Sequence, residues 1–101
     1  MASGTVKIGK RNYKVVKRRM KCKGYFEDSS KTIAIRPGMR KIAEAKTLLH
    51  EIYHGIFAEY IRDILTDDEE ERVIRALERG ITEFARHNPE QWLVLANRLT
   101  K

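Results

Sequence analysis

The hydrophobic pattern changes period once along this 101-residue chain, and that change limits the fold more than any other feature of the sequence. Before Pro37-Gly38, the segment Lys31-Thr32-Ile33-Ala34-Ile35-Arg36 alternates polar and apolar residues, as a half-buried strand does. After Met39, the residues Ile42, Ala45, Leu48, Leu49, Ile52 and Ile56 recur at steps of three and four, the spacing of a helix with one buried face. Strands followed by helices make an α+β chain. At this length it is a single domain, residues 1–101, with one modest core.

The strand region divides at turn residues. Thr5-Val6-Lys7-Ile8 stops at Gly9-Lys10-Arg11-Asn12, and Tyr13 to Met20 mixes β-branched, aromatic and basic residues. Gly24-Tyr25-Phe26-Glu27 runs into Asp28-Ser29-Ser30, a turn-forming cluster. The expected sheet is small and antiparallel, with three or four strands. In the helical region, Thr66 can cap a second helix and Glu69 can reach back to complete a capping box. The apolar stripe of that helix is Val73, Ile74, Leu77, Ile81 and Phe84. Asn88-Pro89 ends it and starts a third helix, on which Trp92 is expected to anchor to the core.

Charge is unevenly spread. Residues 1–46 hold 14 Lys or Arg against 3 Asp or Glu, a net +11; residues 47–101 hold 7 against 11, a net −4, together the +7 of the whole chain. The run Lys14, Lys17, Arg18, Arg19, Lys21 and Lys23 is read first as the solvated, charged edge of a sheet, which resists aggregation. At most, weak non-specific nucleic acid binding is expected of it, since no nucleic-acid motif accompanies the charge. No apolar run reaches the ~20 residues of a membrane span, so no membrane partner is expected. Met1-Ala2-Ser3-Gly4-Thr5 lacks the pattern of a signal peptide. The lone Cys22, read as a small strand residue, cannot form an internal disulfide. The expected compartment is the cytoplasm.

One motif carries chemistry. In His50-Glu51-Ile52-Tyr53-His54 the two histidines stand four apart on the first helix, on one face, and can grip one tetrahedral zinc ion. Glu51, one step after the first ligand, points beside the metal, where it can take a proton from zinc-bound water and pass it to a leaving amine. A catalytic zinc needs a third protein ligand. His87 and the acids Asp67, Asp68, Glu69, Glu70 and Glu71 are candidates, with Glu70 and Glu71 nearest the apolar stripe. If the first helix ran unbroken to Leu65, Glu78 or Glu83 would face the histidines instead. A ligand at Glu71 is therefore expected to need a helix that ends or bends soon after His54, at Gly55. Tyr53 and Tyr60 are read as packing residues before oxyanion donors.

Four segments together carry a family resemblance: Ile33-Ala34-Ile35, Thr47 through His54, Glu70 through Leu77, and Asn88-Pro89. Over roughly residues 24–90 the chain resembles small phage-type zinc metallopeptidases, related to the ImmA/IrrE-type and SprT-like minimal zincins. The resemblance implies a minimal zincin-like fold with zinc bound by His50 and His54, Glu51 as the base, and a second-helix glutamate completing the site. That glutamate is best matched by Glu71, with Glu70 as the alternative. The implied function is a zinc-dependent metallopeptidase acting on a protein or peptide substrate, in the host cell cytoplasm if the chain is phage-encoded. The alternative is a non-catalytic zinc-binding domain using its basic N-terminal sheet to hold nucleic acid or an acidic protein partner.

Overall fold

A computed structural model of the chain describes residues 4–101; residues 1–3, on which part of the signal-peptide expectation rests, lie outside the described residues. Four strands come first, β1 (Gly4–Ile8), β2 (Arg11–Lys17), β3 (Gly24–Glu27) and β4 (Thr32–Ile35), followed by α1 (Lys41–Tyr60), α2 (Asp67–His87) and α3 (Pro89–Leu99). The fold is α+β, a small sheet followed by three helices. No helix among the described residues is long and apolar enough to cross a membrane.

The sheet order is β1-β2-β4-β3. The hairpins β1–β2 and β3–β4 are antiparallel, but β2 and β4 run parallel, with Val15 opposite Ile33. The sheet is therefore mixed and not wholly antiparallel as expected. The cause lies in β4, whose Thr32, Ile33, Ala34 and Ile35 are all buried. A strand buried on both faces belongs inside a sheet, so the chain passes β4's place, lays down β3 outside it, and returns. Alternation in Lys31–Arg36 pointed to one buried face, and the structure buries both. Cys22 lies in the β2–β3 loop, not in a strand, and is exposed.

The core is Ile8, Tyr13, Val15, Ile33 and Ile35 from the sheet, against which Leu48, Ile52 and Ile56 of α1 pack. Tyr13 is fully buried and donates its hydroxyl hydrogen bond to Glu59 near the end of α1. With the sheet on one side, α1 meets α2 on the other, and α3 touches only α2. Trp92 therefore rests on the α2 side, 37% exposed, and no residue of α3 is buried. Trp92 does not anchor to the core.

Local rules set the helix ends. Thr66 accepts from the Glu69 backbone N–H at 3.2 Å, and the Glu69 carboxylate accepts from the Thr66 N–H at 2.9 Å. This is the reciprocal capping box read from the sequence. Helix α1 does not stop at Gly55. It runs five residues further to Tyr60, and Gly55 is buried where Ile8 crosses the helix, so that an added Cβ would lie 2.6 Å from Ile8 Cδ1. Ile61, Ile64 and Leu65 fall in the α1–α2 connection, and Ile64 is 71% exposed.

Candidate metal centre

His50, Glu51 and His54 lie midway along α1, and the acids that meet them come from α2. Glu71, Ile74 and Glu78 are spaced three and four apart, so they share one helix face. Ile74 is fully buried, the only buried residue of α2, and pins that face onto α1. Because the two helices run antiparallel through a short connection, this pin sets both Glu71 and Glu78 against the histidines. The helix break postulated after His54 is not required. The hairpin turns after Tyr60, and Glu71 reaches the site with α1 intact.

A zigzag of alternating residues results. Oε1 of Glu71 lies 3.0 Å from His50 Nε2 and 3.1 Å from His54 Nε2. The other ring nitrogens face outward to different carboxylates: Glu78 Oε1 is 2.9 Å from His50 Nδ1, and Glu70 Oε2 is 2.7 Å from His54 Nδ1. The imidazole rings stand edge to face with centroids 5.1 Å apart, and the His54 ring also stacks on Phe26 at 6.2 Å.

The donor set fits a zinc ion. In the tautomer whose Nδ1 atoms donate to Glu78 and Glu70, both Nε2 lone pairs face Glu71 Oε1, and this is the tautomer in which the rings could hold a metal. Three acceptors, two Nε2 atoms and one Oε1, converge with all ligand atoms within 4.8 Å of one another. The same contacts suit Nε2–H groups donating to Glu71 when no ion is bound and metal ligands when one is. Zinc bonds of ~2.0–2.1 Å in a tetrahedron require ligand atoms about 3.3 Å apart, close to the spacing between Glu71 and each histidine. Ring nitrogens held from behind by carboxylates are the usual outer arrangement of zinc-binding histidines.

This geometry separates the candidate ligands. Glu71 stands with the Nε2 atoms. Glu70, the alternative third ligand, stands behind His54 at Nδ1, outside the triad. Glu78 stands behind His50 and also belongs to the cluster, an outer role that could have been read from its seven-residue spacing to Glu71. Glu83 and His87 lie further along α2, His87 at its last residue, and neither joins the cluster. Tyr60 is 68% exposed with its hydroxyl at the β1–β2 turn by Gly9, away from the histidines. Tyr53 is half-buried, and burial raises its hydroxyl pKa, as suits a packing residue.

Glu51 is buried against β3 and lines an open cleft of about 590 Å³ together with Gly24, Thr47, His50 and Glu71. Burial pushes its carboxyl above the ordinary carboxylate range; His50 and His54 pull it down, and Glu71 and Glu78 push it up. Burial also acts to raise Glu71, but His50 and His54 outweigh it, aided by Arg75, and hold that carboxyl below its usual range. The two carboxylates thus differ in character: the surroundings of Glu71 favour the anion, and burial shifts Glu51 toward its protonated form.

No protein-family model, curated protein or solved structure matches this chain.

Proposed function

We propose that the chain is a zinc-dependent metallopeptidase of the minimal zincin kind, with His50, His54 and Glu71 holding the metal and Glu51 as the general base. The observation that carries this reading is the convergence of two Nε2 atoms and one carboxylate oxygen, with a buried, pKa-raised glutamate in the same cleft. A zinc ion in this cradle supplies the Lewis acidity that makes water nucleophilic near neutral pH. Glu51 accepts the proton of the attacking water and returns it to the amine as the peptide C–N bond breaks. Glu78 and Glu70 keep the histidine rings turned so that their Nε2 atoms face the metal.

Two further features support catalysis over a purely structural site. Only three ligand groups converge among the described residues, and the open cleft beside them leaves room for a fourth, exchangeable position. The strand next to the cleft is β3, paired only to β4 and free along its other edge, so an extended peptide can add to it by backbone hydrogen bonds. The segment Ile33-Ala34-Ile35 lies inside the sheet as β4 and has no free edge.

The test is Glu51→Gln. Glutamine keeps the shape of the side chain and cannot take the proton, so the variant is expected to keep its fold and zinc and to lose hydrolysis by at least ~100-fold. Cleavage of a denatured protein substrate by purified wild type and variant, with zinc content measured on both, reads this directly. Equal cleavage by the two would sink the assigned base. Zinc binding without hydrolysis by the wild type would favour the non-catalytic zinc-binding domain.

A further inference from the structure

The surroundings of the triad are charged in opposite senses at its two ends. Toward the start of α1, the cleft at His50 continues into a groove of about 490 Å³, and the two share Lys46, Arg75 and Glu78. Lys46 stands one helical turn before His50. Arg75, Arg79 and Arg86 follow one another at four and seven residues, on one stripe of α2. Arg75 reaches Glu71 Oε2 at 3.3 Å, whereas Lys46, Arg79 and Arg86 make no ion pair among the described residues. Of the two acids lining this groove, Glu78 is engaged by His50, which leaves Glu83. Beyond His54 the lining reverses. A cavity of about 240 Å³ is lined by Asp28, Asp63, Asp67 and Glu70, with Phe57 and Leu65 among its apolar walls; Asp28 is paired with Lys31 and Arg62 and Glu70 is engaged by His54, which leaves Asp63 and Asp67.

We propose that these two separate cavities, flanking the triad at His50 and at His54, together select an extended peptide of opposite charge on the two sides of the metal, with acidic residues over Lys46, Arg79 and Arg86 and basic residues over Asp63 and Asp67. The proposal rests on the metallopeptidase reading for the idea that a scissile bond lies between the two halves; the binding preference itself needs no hydrolysis. The peptide is favoured over nucleic acid by the second half of the cleft. A uniformly charged phosphate backbone satisfied by the arginine stripe would be driven onto Asp63 and Asp67 as it crossed the site. Opposed charges on the two sides of the triad also fix the direction in which a peptide lies, because the reversed peptide meets like charge at both ends.

The experiment is equilibrium binding by fluorescence anisotropy, using the zinc-loaded full chain carrying Glu51→Gln so that no probe is consumed. The probe is a labelled peptide with an acidic half and a basic half joined by an apolar centre, compared with the same residues scrambled and with a wholly basic peptide. The polarised peptide is expected to bind at least ~10-fold more tightly than the scrambled one, and to weaken as salt rises. Lys46→Glu combined with Arg79→Glu is expected to remove that advantage while leaving the wholly basic peptide bound no more weakly. Neither side chain supports the fold, and an unchanged thermal melt checks this. Equal binding of polarised and scrambled peptides, no binding of either, or tighter binding of a thymidine oligonucleotide would each overturn the proposal. Selective binding together with no hydrolysis by the wild type would sink the enzyme reading alone, whereas hydrolysis without charge selectivity would sink only this inference.

Discussion

Glu71 offers one carboxylate oxygen to two imidazoles at once, while Glu70 and Glu78 each touch one ring from behind. That difference ranks the substitutions. Glu78→Gln or Glu70→Gln removes an outer acceptor, and each is expected to lower zinc affinity by about 10–100-fold. Glu71→Gln takes a charged ligand from the metal and is expected to cost clearly more. Competition against a chromogenic chelator measures all three; a larger loss from Glu70→Gln than from Glu71→Gln would reverse their assigned places. The histidines and Glu51 were legible in the sequence because their spacing fixes their relation within one helix. The choice between Glu70 and Glu71 was not, since adjacent acids differ only in the direction each points. That direction is set by the pairing of α1 with α2, through Ile74.

At the scale of elements, the starts and stops of most segments were readable from turn residues, capping residues and period, and the pairing of strands was not. Alternation reports which face of a strand is buried by its own sequence, not which neighbour it will have. The place of β4 in the interior follows from competition among all four strands for two-sided burial. The end of helix α1 was misjudged because a glycine signals a stop only where the chain is free to turn; Gly55 is instead buried against Ile8, and the helix runs on to Tyr60. Packing also explains why two glycines should respond in opposite ways. Gly24 sits where β3 presses on its neighbours, and an added Cβ would meet the Ala34 carbonyl oxygen and Thr47 Cγ2, each at 2.8 Å. Gly24→Ala is expected to destabilise the fold by about 1–3 kcal/mol, because a backbone oxygen cannot move aside as a side-chain tip can. Gly80, in the middle of α2, has nothing within 4 Å of an added Cβ, and Gly80→Ala is expected to stabilise by about 0.5–1 kcal/mol. Urea denaturation of both variants checks the opposite signs.

Across the whole molecule, α1 is the shared wall: the sheet packs on one side of it and α2 on the other, and the proposed metal ligands bridge α1 to α2. The net charge of the two halves, visible in the sequence, gave no hint of the local arrangement, in which the cationic stripe nearest the site comes from α2 within the net-acidic half. The basic run Lys14 to Lys23 is exposed as expected, but Lys14 and Lys17 stand on β2, an inner strand, and not at a sheet edge; Lys17 pairs with Glu44 and Arg18 donates to Tyr25. The apolar rhythm of α3 was legible, but its destination was not, since periodicity identifies a face and not the surface it meets.

The isolation of α3 has a consequence for how the protein breathes. With α3 touching only α2 among the described elements, and α2 held to α1 chiefly by Ile74 and the histidine–carboxylate zigzag, the last third of the chain is expected to open as one cooperative unit. Amide hydrogen exchange should therefore rise together across α2 and α3 when zinc is stripped by a chelator, while the amides pairing β2 with β4 keep their protection. Independent exchange of the two helices, or equal deprotection of the sheet, would contradict this. On this view the metal is also a latch, and its loss frees a whole helical hairpin from the sheet-bound body while that body stays folded.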